Sequence, residues 1–67
     1  MYKRQEILNA VATIETETSN TNSVSLSSYP NVVDRALADS DNNEDLLEHI
    51  CENLSNETGY CVVSVHL

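Results

Sequence analysis

The feature that most narrows what this chain can fold into is its C-terminal run, Tyr60-Cys61-Val62-Val63-Ser64-Val65-His66-Leu67. Its β-branched and aromatic content predicts a strand. A strand cannot satisfy its own backbone N–H and C=O groups. The rest of the chain must therefore supply a pairing partner, unless another molecule does. Simple alternation sets Cys61, Val63, Val65 and Leu67 on one face and Tyr60, Val62, Ser64 and His66 on the other. The first set is wholly apolar and is expected to lie on the helices, leaving the mixed second face half wet.

Immediately upstream is an amphipathic helix. Leu46, Leu47, Ile50, Cys51 and Leu54 form one helical stripe, while Glu44, Asp45, Glu48, His49, Glu52 and Asn53 fall on the opposite face. Asp41 precedes Glu44 by three residues, the spacing of a capping box. Acidic residues in the first turn suit the helix dipole. Stop signals follow in Ser55-Asn56-Glu57-Thr58-Gly59, where Gly59 is free to adopt positive φ.

The partner strands are sought nearer the N-terminus. Ile7, Leu8, Val11 and Ile14 fit a helical face, but Ala12 to Thr18 alternates Thr and Glu in a way that suits a pleated surface. Ser19-Asn20-Thr21-Asn22 is turn chemistry, and Ser23-Val24-Ser25-Leu26-Ser27 alternates strictly. The reading is a β-hairpin with strands near 11–18 and 23–28, preceded by a short helical start at 6–10; a longer N-terminal helix is the alternative. Pro30 suits a first helical turn, and Val32, Val33, Ala36 and Leu37 predict a helix over 30–39. The order is β-β-α-α-β. The expected fold class is α+β, a three-stranded sheet of hairpin plus C-terminal strand, covered on one face by two helices. Which strand is central is left open.

At 67 residues the chain has room for one domain with a small core, and a stability of at most a few kcal/mol is expected. With three Tyr and neither Trp nor Phe, that core must rest on Val, Leu, Ile and Ala. No run approaches the ~20 apolar residues of a membrane span, and no basic segment leads into an apolar one as in a secretory signal. A soluble, cytoplasmic protein is expected.

The first five residues, Met1-Tyr2-Lys3-Arg4-Gln5, resemble the translation of the transposase mosaic-end adapter used in sequencing-library preparation, with GTG as the start codon. On that reading residues 1–5 are a non-native scar, the gene comes from metagenomic reads, and the domain spans residues 6–67. The authentic protein would then begin upstream of Glu6, making this chain a C-terminal fragment. Removing Lys3 and Arg4 takes the formal charge from −8 to −8 − 2 = −10 and leaves Arg35 as the sole basic side chain.

Residues able to carry chemistry are few. His49, Cys51, Cys61 and His66 form a zinc-type ligand set, but His49 and Cys51 are two apart on a helix, and Cys61 and His66 are five apart on a strand, so each pair diverges. Cys51 and Cys61 read as small buried hydrophobes on apolar faces, placed where they could meet across the helix–strand interface as a disulfide. A Cys–His nucleophile is disfavoured by the acidic surroundings of Cys51. With one glycine in the chain there is neither a nucleophile elbow nor a phosphate-cradling loop. Asp39 to Asp45 resembles a calcium loop superficially, but Ile50 stands where the bidentate Glu belongs. The Asn-x-Ser/Thr triplets at Asn53 and Asn56 read as helix-end turn formers. No catalytic, cofactor-binding or metal-binding residue is assigned.

The acidic balance, three basic against eleven acidic side chains, makes direct nucleic-acid binding unfavourable. It suits a basic protein partner, or simply keeps a small domain soluble. The function expected is a non-enzymatic protein-interaction module, binding a basic surface or itself through an exposed strand edge. Two alternatives stand beside it. One is the C-terminal fragment of a longer protein, an enzyme among the options, whose functional residues lie upstream. The other is a nucleic-acid-mimicking inhibitor of phage or mobile-element origin.

Overall fold

The computed structural model describes residues 2–67. A short helix α1 (Arg4–Leu8) leads into strand β1 (Val11–Glu15), which turns back as β2 (Thr21–Ser25). A single 3-10 turn (Leu26–Ser28) connects to α2 (Pro30–Asp39), followed by α3 (Asn43–Thr58) and β3 (Cys61–His66). The sheet order is β2-β1-β3, all antiparallel, so the first strand is central. This is the expected α+β arrangement, with two main helices and a three-stranded sheet.

Each element has a local cause. In the hairpin, Thr16 N–H donates to the Asn20 carbonyl at 2.7 Å and Ser19 N–H to the Thr16 carbonyl at 3.0 Å. Ser19 sits at φ 63, the left-handed position that closes a three-residue hairpin loop. Pro30 occupies the first turn of α2. Gly59, at φ 78, ends α3, and its N–H donates to the Ser55 carbonyl at 2.8 Å.

The core is a continuous cluster of Ile7, Ala10, Ala12, Leu26, Val32, Val33, Ala36, Leu46, Ile50 and Leu54, with Ile14 also buried. Ala12 and Ile14 present the inner face of β1, and Leu46, Ile50 and Leu54 the inner stripe of α3. Leu47 and Cys51, expected on that stripe, flank it half-buried. Tyr2 and Arg4, both within residues 1–5, belong to the packed structure: Tyr2 packs against the core, its N–H donates to Asn43 Oδ1 at 2.9 Å, and Arg4 pairs with Asp34 at 2.7 Å. That ion pair is half-exposed on both sides and contributes little.

Four expectations need correction. The hairpin strands differ from 11–18 and 23–28: β1 ends at Glu15, the loop closes at Ser19 so that Thr21 and Asn22, expected in the turn, begin β2, and β2 stops at Ser25 where the chain tightens into the 3-10 turn that buries Leu26. The helix cap is Asn42, whose Oδ1 accepts from Asp45 N–H at 3.0 Å; Asp41 does not cap. Ser40 is tied back to the Ala36 carbonyl at the end of α2, and Asp41 lies in the turn between the two helices. The residues Ser55 to Thr58 continue α3 by one turn and do not end it.

The fourth correction concerns β3. Its register against β1 slips between Thr13, which faces Ser64, and Ile14, which faces Val62. The extra residue is Val63, a β-bulge that switches the phase of alternation mid-strand. Val62 and Val65 therefore pack on the core, while Val63 is 55% exposed and Leu67 51%. Cys61 is exposed as well. Of the four residues expected to lie on the helices, only Val65 does.

Candidate functional site

The bulge has a direct effect on the molecule's surface. Among the described residues the exposed large hydrophobics are Val11 (39%), Tyr60 (37%), Val63 and Leu67. Three of the four belong to the last eight residues, on or beside β3. That strand pairs only with β1, so its other edge is an unpaired row of backbone donors and acceptors. Proteins usually blunt such edges with short strands, charges or proline. At the opposite edge β2, Thr-Asn-Ser-Val-Ser, is polar and mostly exposed. By contrast β3, Cys-Val-Val-Ser-Val-His, carries no carboxylate, lysine, arginine or proline. The bulge is its one protective device, and it turns a valine outward.

At the start of β3 the edge meets a shallow open groove of about 250 Å³. Glu15, Thr16 and Glu17 form one wall, at the end of β1 and the beginning of its turn; Gly59, Tyr60 and Cys61 form the other. Glu15 and Cys61 are register partners, which fixes the two walls relative to each other. The positive φ of Gly59 lets the chain leave α3 sharply enough to bring Tyr60 to this corner. The groove thus holds two carboxylates, a phenol ring and a thiol, and no basic side chain lines it.

The residues considered for metal or nucleophilic chemistry are dispersed. His49 Nδ1 lies 2.8 Å from the Asp45 carbonyl and 3.0 Å from Ser40 Oγ. The carbonyl requires a proton on Nδ1, and the Ser40 hydroxyl, which donates to the Ala36 carbonyl, accepts a share of it. Because Ser40 is buried and its proton engaged, the pair ties the end of α2 to α3 and presents no nucleophile. His66 Nε2 is 3.2 Å from Ser64 Oγ on the exposed strand. Both cysteines are free thiols. Burial raises the Cys51 thiol above its ordinary value, which disfavours the nucleophilic thiolate. Among the described residues no group of three or more His, Cys, Asp or Glu is placed to hold a metal ion, and no helix is long and apolar enough to cross a membrane.

Comparison with known proteins finds no matching family model, and neither a similar curated protein nor a similar solved structure. The edge itself was anticipated in outline from the sequence. Its apolar outward residue Val63 and the groove walls Glu15, Glu17 and Tyr60 were not. Alternation pointed Val63 the wrong way, and the two walls come from turns far apart in the chain.

Proposed function

We propose that this protein is a non-enzymatic interaction module that receives an extended, basic segment of another protein along the open edge of β3. The observation that supports this most directly is the pairing of an uncharged, β-branched edge with an outward Val63 and Leu67. Strand addition draws affinity from main-chain hydrogen bonds, and selectivity from alternate side chains on each face. A net charge of −8 favours a basic occupant and opposes a second copy of the chain at the same edge.

The test is a titration of isotopically labelled protein with a capped peptide of alternating Val and Lys, followed by NMR. Amide shifts and hydrogen-exchange protection should appear in β3, leave β2 unchanged, and weaken as salt is raised. An acidic peptide of the same pattern should not bind. Perturbation confined to the helices, or none at millimolar peptide, would overturn the proposal.

A further inference from the structure

The edge of β3 is not symmetric from end to end, and the asymmetry carries information about what docks there. Its beginning opens into the groove with Glu15, Glu17 and the Tyr60 ring. Its other end carries Val63, His66 and Leu67, none of which has an acidic side chain. A cationic side chain reaching the first end meets two carboxylates and an aromatic face that is partly exposed, at 37%. A guanidinium suits that combination best, since it forks onto carboxylates and stacks on aromatic rings. An apolar residue is accommodated beside Val63.

Resting on the strand-edge reading above, we infer that the incoming strand runs antiparallel to β3 and carries an arginine at its C-terminal end, seated in the groove between Glu15, Glu17 and Tyr60. Antiparallel pairing follows the other two strand pairs of the sheet and is somewhat more stable per residue than parallel pairing. In that direction the C-terminal side of the occupant lies beside Cys61. The recognised sequence is then a short alternating β-branched segment followed, and not preceded, by arginine. Glu15 and Glu17 become specificity-determining residues, and Tyr60 the platform on which the cation rests.

Two capped peptides of identical composition decide this, one of alternating Thr and Val followed by two Arg, the other with the order reversed. Their affinities are measured by calorimetry against the wild-type protein and a Glu15→Gln/Glu17→Gln variant whose fold is checked by circular dichroism. The peptide ending in Arg should bind about tenfold more tightly, the scale of one charge-assisted contact. The double variant should erase that preference while keeping residual binding of both peptides. Equal affinities in the wild type would leave the strand-edge reading standing and overturn the polarity. Preference for the leading-Arg peptide would indicate parallel docking and also overturn it. A preference that survives the double variant would remove the groove from the account. Binding of neither peptide would bring down both inferences together.

Discussion

The bulge at Val63 makes a prediction that simple alternation reverses. Val62, Val63 and Val65 are changed singly to Thr, which preserves shape and β-branching while replacing a methyl with a hydroxyl. Val62 and Val65 are half-buried against the core. The lost methyl transfer is worth up to about 0.8 kcal/mol and hydroxyl desolvation about 1–3 kcal/mol. Discounted for partial exposure, each change should cost roughly 1 kcal/mol. At Val63, 55% exposed, the hydroxyl remains hydrated and the cost should stay under about 0.5 kcal/mol. A chain this small has a urea m-value of about 1 kcal/mol/M. The midpoint by far-UV circular dichroism should therefore fall by about 1 M for Val62→Thr and Val65→Thr and by less than about 0.5 M for Val63→Thr. Unchanged m-values are required for the comparison. If Val63→Thr cost more than Val62→Thr, the phase switch would be wrong and the outward valine with it.

Three further predictions concern local structure and thiol chemistry. Asn42→Ala should cost about 1 kcal/mol by loss of the α3 cap, whereas Asp41→Ala should be nearly silent, both read by urea midpoint. Ser19→Gly should stabilise the hairpin by roughly 0.5–1 kcal/mol, while Gly59→Ala should cost about 1–2 kcal/mol; nothing lies within 4 Å of a Cβ at Gly59, so that cost is purely backbone. Iodoacetamide at mildly alkaline pH should label exposed Cys61 before half-buried Cys51, with mass spectrometry reading the order. Because burial raises the Cys51 thiol, its contribution to stability is complete below the ordinary thiol value of 9.0 and is lost as pH rises through the folded-state value. Equal labelling rates in the folded protein would contradict this.

The elements whose signal is local were the readable ones. The spacing of Leu46, Ile50 and Leu54 predicts a buried helical stripe because helical period acts within a few residues, and all three are fully buried. Pro30 and Gly59 mark a helix start and end through their own dihedral preferences. The hairpin was recognisable from its polar turn chemistry, against a competing helical pattern at Ile7 to Ile14, although the loop closes at Ser19 and Thr21 and Asn22 belong to β2. What was not readable depends on distant partners. The bulge arises only where β3 meets β1, so no window around Val63 contains it. Asp41 and Asn42 both fit the capping spacing, and it is the position of α3's first turn after α2 that gives Asp45 N–H to Asn42. Leu26 continues an alternating pattern, yet the route into α2 draws it out of the strand and under the helices. The groove joins two turns from opposite ends of the chain, and neither turn alone suggests it.

The central position of β1 bears on how this molecule is born. During synthesis β1 and β2 emerge together and can form a hairpin, but β1's second neighbour, β3, follows only after both main helices. The backbone groups on that side of β1 must wait until β3 has emerged, and Val62 and Val65 arrive with it. Completing the sheet thereby requires closing the loop from Glu15 to Cys61, an entropic cost that falls before the pairing rewards it. Until then the vacancy beside β1 is open to any extended segment nearby, so a nascent chain is exposed to mispairing at the same strand that later shields its core.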